Sequence, residues 1–261
     1  MIKAKKSLGQ NFLIDKDILR RIVNLVNIKN KTILEIGPGT GNLTSYLLNN
    51  NPKKIYVVEK DNTLAGNLKE KYQNKIKVIN EDILKIDETL LSDENLIVFG
   101  NLPYNISTEI LNKWIVNIKN HFWFECLILM FQKEVANRII AEFNTSEYGR
   151  LSILTNWKLK VKKICDIKPE SFYPIPKVNS SLLFFTPKKK FFNIKDPKNL
   201  EKITRIFFNH RRKMLKKPFN QLFNSDQKIL NKLKIDLNLR PQNLDFETYY
   251  KLTSEFEKLR G

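Results

Sequence analysis

Cysteine and histidine are scarce in this chain, with two of each in 261 residues. Cys126 and Cys165 lie far apart in apolar or strand-like contexts. They make no disulfide framework and no metal-ligand spacing, which fits a reducing compartment and buried free thiols. His121 and His210 stand beside no candidate nucleophile and no cysteine pair, so a hydrolase triad or a zinc site has no support and no metal is expected. Long apolar runs are missing as well. Nothing approaches the roughly 20 consecutive apolar residues of a membrane-spanning helix. The basic start, Met1-Ile2-Lys3-Ala4-Lys5-Lys6, leads into Ser7-Leu8-Gly9-Gln10 rather than into an apolar segment, so it is no secretory signal. A cytoplasmic protein without membrane contact is expected. The chain has no internal repeat, no Gly/Ser linker and no sign of a coiled coil or an exposed strand edge, so a monomer is expected.

Acidic residues are in deficit. Lys and Arg number 46 against 27 Asp and Glu, a net charge of +19. Two accounts of the excess stand side by side. Lysines that neutralise phosphates release condensed counterions, which points to a polyanionic partner. Lys, Asn and Ile all have A/T-rich codons, so genome composition also raises the lysine count. Distribution favours the first account: residues 188–261 hold 19 basic and 8 acidic residues, net +11, against net +8 for the longer remainder.

From Lys31 onward, short β-branched runs alternate with amphipathic stretches, the pattern of a parallel sheet covered by helices. Strands are expected over residues 32–36, 55–59, 75–79, 96–99 and 126–131. The last is wholly apolar and is expected at the centre of the sheet. Helices are expected near 43–49, 63–72, 108–118 and 134–142. Residues 161–167 and 181–185 flank a proline-rich loop and look like a closing antiparallel pair. Ahead of the sheet, Asp15 suits the cap of a helix with Ile18, Leu19, Ile22, Val23 and Val26 on one face. After Pro187-Lys188-Lys189-Lys190 the strand signal gives way to basic helical segments at 200–208, 227–233 and 246–259. The reading is an α/β catalytic domain over residues 1–187 and a basic helical domain over 188–261.

Glu35-Ile36-Gly37-Pro38-Gly39-Thr40-Gly41 follows the first expected strand. Gly37, Gly39 and Gly41 let a backbone turn sharply and approach a ligand closely. Their spacing is not that of the dinucleotide fingerprint, and no phosphate-binding lysine follows. Glu59 ends the second strand, where a carboxylate accepts from two vicinal ribose hydroxyls. Asp82 follows the third and suits an adenine amino group. Each carboxylate alone is equally a helix cap or a loop charge, but all three features fall at the edge where open α/β sheets bind ligands. A nicotinamide cofactor would use Glu59 but leaves Asp82 unexplained.

Gly100-Asn101-Leu102-Pro103-Tyr104 follows the fourth strand and resembles the (N/D/S)-P-P-(Y/F) signature of methyltransferases that act on ring-conjugated amino groups. Such an amino nitrogen is a poor nucleophile because its lone pair is delocalised. Carbonyls from Asn101 and Leu102 accepting its two N–H groups would return density to nitrogen by positioning and oriented dipoles, with no side-chain base. Pro103 fixes the turn and Tyr104 would stack on a flipped base. Asn-x-Pro-Tyr also suits a plain strand-to-helix turn.

Lys6-Ser7-Leu8-Gly9-Gln10-Asn11-Phe12-Leu13 resembles the opening of the ribosomal RNA adenine dimethyltransferases. The blocks at 35–41, 101–108, 132–135, 148–152 and 172–178 resemble that family too, so the likeness spans essentially the whole chain. It implies a Rossmann-like S-adenosylmethionine-dependent methyltransferase domain, with a mostly parallel seven-stranded sheet, and a small all-helical C-terminal domain. It implies S-adenosylmethionine as cofactor, S-adenosylhomocysteine as product, and N6,N6-dimethylation of two adjacent adenosines near the 3′ end of small-subunit rRNA in an immature subunit. Asn11, Leu13, Gly37, Gly39, Gly41, Glu59, Asp82 and Asn101 would hold the cofactor. Phe172 would either face the target base opposite Tyr104 or support its loop from the core. Tyr173 and Ile175 depart from the family's usual loop residues. Arg211, Arg212 and Lys213, with Lys216 and Lys217, resemble the basic element of the small-subunit branch and would contact RNA phosphates. The alternatives are a large-subunit, resistance-type methyltransferase and a non-catalytic ribosome-assembly protein.

Overall fold

The computed structural model describes residues 4–5, 8–119 and 121–260. Lys6 and Ser7 of the opening motif lie outside them. In chain order the elements are β1 (Phe12–Leu13), α1 (Lys16–Val23), β2 (Thr32–Ile36), α2 (Asn42–Leu48), β3 (Lys54–Val58), α3 (Asn62–Tyr72), β4 (Lys77–Ile79), β5 (Leu96–Asn101), α4 (Ser107–Asn117), β6 (Phe124–Gln132), α5 (Lys133–Ile140) and α6 (Arg150–Lys158). They continue with β7 (Leu159–Ile167), β8 (Phe172–Tyr173), β9 (Ser180–Pro187), α7 (Pro197–Phe208), α8 (Lys216–Phe223), α9 (Gln227–Leu233) and α10 (Phe246–Lys258). Packing divides the chain into two units, Met1–Ala136 with Val161–Pro187 and Asn137–Lys160 with Lys188–Gly261.

The first unit carries a seven-stranded sheet in the order β4-β3-β2-β5-β6-β9-β7. Strands β4 through β6 are mutually parallel, and β9 returns antiparallel to β6. Strands covered on both faces need apolar side chains in both directions. Accordingly all five residues of β2 are buried, and Ile97, Phe99, Leu127 and Leu129 of β5 and β6 have no exposed surface. The apolar sixth strand is interior, but the central place belongs to β5. Strand β4 is shorter than expected because residues 73–75 form a 3-10 turn, and β5 runs on through Asn101. This is the parallel, helix-covered sheet expected from the alternation of elements, with the Rossmann-like topology that the family resemblance implied.

Asp15 caps α1 by accepting from the N–H groups of Asp17 and Ile18, and Leu19, Ile22 and Val23 fill the core below. The helix stops at Asn24, so Val26 reaches the core from beyond it. A two-stranded ribbon, unforeseen, pairs Phe12 with Tyr173 and Leu13 with Phe172. The segment after β4 is fastened to α4 by a buried carboxylate: Glu88 accepts from Trp114 Nε1 at 2.7 Å and from Lys113 Nζ at 2.8 Å. Lys113 also donates to the carbonyls of Ile83 and Ile86.

The second unit is helical and aromatic. Tyr148 sits edge-on to Phe208 and Phe246, Phe207 to Tyr249, and Phe219 stacks on Phe223 at 4.9 Å. Helix α6, not expected from the sequence, packs on α7 and α10, so residues 137–160 join 188–261 instead of the sheet-bearing unit. The lysine run begins inside this packing. Lys188 donates to Asn156 Oδ1 at 3.0 Å and to the Asn156 carbonyl, placing a cation at the C-terminal end of α6, and its N–H bonds the Lys158 carbonyl at 2.8 Å.

Trp114 is 1% exposed, and its removal leaves a cavity and takes one of the two donors from Glu88. Trp114→Ala is expected to lower stability by about 3–5 kcal/mol in urea unfolding followed by circular dichroism. A loss below about 1 kcal/mol would show that the Glu88 staple is not a structural requirement.

Candidate active site

The carboxyl ends of β2 to β5 open on a cleft with about 880 Å³ of free space. Gly37 and Gly39 line it after β2, Glu59 after β3, Asp82 after β4, Asn101 at the end of β5 and residues 102–104 just beyond it. The N-terminal arm, residues 8–12, closes one side. Most of the residues singled out from the sequence thus meet in one place, at the edge where open α/β sheets bind ligands.

The glycine turn is shaped for close approach. Gly39 adopts φ +60°, and a Cβ there would lie 2.6 Å from the Phe12 ring, so any side chain would displace the arm. Gly41 caps α2 and packs against Tyr72 and Leu68, away from the cleft. Leu13 is buried in the ribbon and borders a smaller recess with Glu35, Asn42 and Asn101. Within that recess the Asn42 side chain donates to the Leu13 carbonyl at 2.8 Å.

Three carboxyls behave differently because their surroundings differ. Glu59 is 7% exposed and accepts from the N–H groups of Gly39 at 3.1 Å and Asp61 at 2.9 Å, so it joins the glycine turn to the end of β3. Burial raises its carboxyl above the ordinary value despite those bonds. Asp82 caps the short 3-10 turn after β4 and pairs with Lys60 at 2.7 Å. Its burial opposes ionisation, but the Lys60 ammonium and the Leu84 N–H outweigh that and hold it below the usual carboxylate range. Glu35, at the base of the turn, accepts from the Thr44 hydroxyl at 2.7 Å, and burial pushes its carboxyl up to about 8.

Asn101 is the last residue of β5. Its Nδ2 donates to the Asn11 carbonyl at 2.7 Å, and among the described residues no donor reaches its Oδ1. The amide is therefore anchored by nitrogen and leaves oxygen as a free acceptor. Leu102 is buried, which sets the main chain of the turn, and no turn or cap bond among the described residues ends on its carbonyl. The Pro103 carbonyl accepts from Ile106, starting α4. Tyr104 is held by a 2.6 Å hydrogen bond between its hydroxyl and that of Ser180. Phe172 does not line the cleft with Tyr104. It is 1% exposed, pairs with Leu13 and lies in the core, whereas Tyr173 beside it is 54% exposed.

Sequence reasoning missed Asp61, Lys5, Gln10 and Ser180. Asp61 carries a cap signal ahead of α3, but its bonds to Lys5 and Gln10 cross more than fifty positions and leave no local trace.

In the helical unit, Arg211 is partly committed, donating to the Tyr148 carbonyl at 3.2 Å and to Gln242 at 3.4 Å. Arg212, Lys213, Lys216 and Lys217 are exposed and line a groove with His210, Met214, Asn238 and Arg240. Among the described residues none of these five Arg and Lys side chains pairs with a carboxylate. The groove brings together two loops, tied by the Leu215 N–H to the Leu239 carbonyl at 2.9 Å. No group of three His, Cys, Asp or Glu among the described residues is placed to hold a metal, and no helix is long and apolar enough to cross a membrane.

A Rossmann-like sheet whose carboxyl edge holds a glycine turn, a buried strand-end carboxylate and an Asn-Leu-Pro-Tyr turn defines a methyltransferase. A family model described as ribosomal RNA adenine dimethylase matches residues 1–258. The ribosomal RNA small subunit methyltransferase A of Pelagibacter ubique is 67% identical over 260 residues, covering 100% of this chain and 99% of its own. A dimethyladenosine transferase from Plasmodium falciparum superposes with a TM-score of 0.80 at 30% identity, over 95% of this chain and 98% of its own. The 23S rRNA methyltransferase ErmE superposes at 0.68 and 21% identity, over 95% and 100% respectively, a likeness of fold. The chain belongs to the ribosomal RNA adenine dimethylase family.

Glu35 gives a pH signature. A carboxyl raised to about 8 in the folded state stabilises the protonated form, so its contribution is complete below the ordinary carboxylate range and is lost as pH climbs toward 8. Glu35→Gln is expected to gain on the wild type by a few kcal/mol as pH rises from about 5 to 8, as measured by thermal or urea unfolding. Parallel curves for the two proteins would contradict a buried neutral carboxyl.

Proposed function

We propose that this chain transfers methyl groups from S-adenosylmethionine to the exocyclic amino groups of two adjacent adenosines near the 3′ end of small-subunit ribosomal RNA. The observation that carries the reaction is the Asn101 amide, anchored through nitrogen and presenting its oxygen as a free acceptor. Relatives such as the Pelagibacter protein bear the name small subunit methyltransferase, and the exposed Arg212-Lys213 pair supports that branch over the large-subunit one. Acting on an immature subunit, in the cytoplasm and as a monomer, belongs to the same reading.

The cleft suits the cofactor. Glu59 would accept from the ribose hydroxyls, Asp82 from the adenine amino group, and Gly37 and Gly39 would allow the backbone to lie against it, with Asn11 and Asn101 completing the wall. When bound, S-adenosylmethionine supplies an electrophilic methyl group on a sulfonium. The chain does the rest by placement. Asn101 Oδ1 and the Leu102 carbonyl each accept one N–H of the target amino group, which localises the lone pair on nitrogen and orients it for in-line attack. Tyr104, its hydroxyl fixed by Ser180, offers a ring for the flipped base to stack on. In the helical unit, Arg212, Lys213, Lys216 and Lys217 would meet RNA phosphates and, as counterions leave, make binding salt-dependent. Arg211, tied to Tyr148 and Gln242, supports that surface more than it contacts RNA.

The test is to offer the purified chain labelled S-adenosylmethionine with unmethylated small subunits or unmethylated large-subunit RNA and to digest the products to nucleosides. Dimethyladenosine from the small subunit alone is expected, with Asn101→Ala slower by about 100-fold or more. Label in large-subunit RNA would move the protein to the resistance branch. No label in either, or near-normal turnover by Asn101→Ala, would overturn the reaction proposed.

A further inference from the structure

Asp61 stands two residues beyond Glu59 and takes no part in the reaction as derived. Its side chain is 2% exposed, yet it collects donors from two directions. From its own helix, Oδ1 accepts the N–H groups of Thr63 at 2.9 Å and Leu64 at 3.4 Å, an ordinary N-cap. From the N-terminal arm, Lys5 Nζ reaches Oδ1 at 3.0 Å and Oδ2 at 2.9 Å, and Gln10 Nε2 reaches Oδ2 at 3.0 Å. Capping uses one oxygen, so Oδ2 serves the arm alone. The Lys5 N–H donates to Gln10 Oε1 at 2.7 Å and closes the ring of contacts. Together these bonds hold Asp61 ionised, below the ordinary carboxylate range, although burial opposes it.

The arm fastened this way has two duties on the page. Its residues 8–12 form a wall of the cofactor cleft, and its Asn11 carbonyl accepts the bond that orients the Asn101 amide. Asp61 also donates its N–H to Glu59 Oε1, so the latch and the ribose-binding carboxylate share one segment of chain. We infer that Asp61 is a positioning residue that latches the N-terminal arm across the cofactor cleft through Lys5 and Gln10 and, by way of Asn11, holds the Asn101 amide in its acceptor-outward orientation. The inference rests on the S-adenosylmethionine reading above. A purely structural role would need only the cap, which explains neither the buried Oδ2 nor its two long-range donors.

Asp61→Asn keeps a good N-cap and removes the charge that the arm uses. S-adenosylhomocysteine is the probe, with its dissociation followed by surface plasmon resonance and the arm by hydrogen exchange. The expected result is dissociation about tenfold faster. Faster exchange over residues 8–12 and a fall in kcat without change in the KM for RNA accompany it, with Tm within about 2 °C of wild type. Lys5→Met leaves the cap of α3 untouched and moves the same readouts in the same direction. The double variant is no worse than the worse single one, since both break one contact. Wild-type dissociation and exchange in both variants would overturn the latch. Failure of the wild type to bind S-adenosylhomocysteine would sink the cofactor reading, and the latch with it.

Discussion

The Asn11 carbonyl accepts a 2.7 Å hydrogen bond from the side-chain nitrogen of Asn101, and the proposed chemistry depends on it. An amide presents a donor at one end and an acceptor at the other, and a free asparagine would sample both. Tying the nitrogen to a backbone carbonyl leaves oxygen as the end available to an incoming amino group. For that bond to exist, the N-terminal arm must lie beside the end of β5. This is why the Phe12–Leu13 ribbon, the flat face of Gly39 and the Asp61 carboxylate matter as much as the turn itself. The turn then needs no base of matched pKa, because orientation and fixed dipoles supply what a general base would.

The carboxyls below the cleft show how one sheet edge is held open and still fixed in shape. Glu59 stitches the glycine turn to the start of α3, Glu35 stitches the root of that turn to α2 through Thr44, and Glu88 stitches the loop after Asp82 to α4. Each is buried and each is satisfied by hydrogen bonds, the condition for a polar group to survive in a core. Glu35 and Asp82 ionise differently because their surroundings differ. Burial pushes Glu35 toward neutrality against the hydroxyl and N–H of Thr44, with no cation beside it, whereas Asp82 has a lysine and stays charged.

Much of this was legible in the sequence because it is local. The alternation of apolar runs gave the five parallel strands, Asp15 gave a cap, and the residues after successive strands fell together once the sheet formed. What stayed hidden depends on distant partners. A two-residue ribbon carries no periodicity, so the pairing of Leu13 with Phe172 could not be foreseen, and with it the burial of Phe172. Helix α6 has almost no amphipathic face because it is buried nearly all round, so period alone did not mark it. Its place with 188–261 is decided by contacts with α7 and α10 that lie far along the chain. Arg211 looked like its neighbours in sequence, and only the folded unit shows its guanidinium turned to Tyr148 and Gln242.

The donor end of the Asn101 amide is anchored so that the acceptor end can work. Asn101→Asp tests it most directly, because the substitution is nearly isosteric, retains acceptor oxygens and lacks the N–H that Asn11 receives. The measurement is kcat at saturating RNA and S-adenosylmethionine. A fall of about 100-fold or more is expected, since an unanchored carboxylate is repelled by the Asn11 carbonyl and leaves its position. A kcat near that of the wild type would contradict it, and would mean that an acceptor in the turn is enough without the bond that orients it.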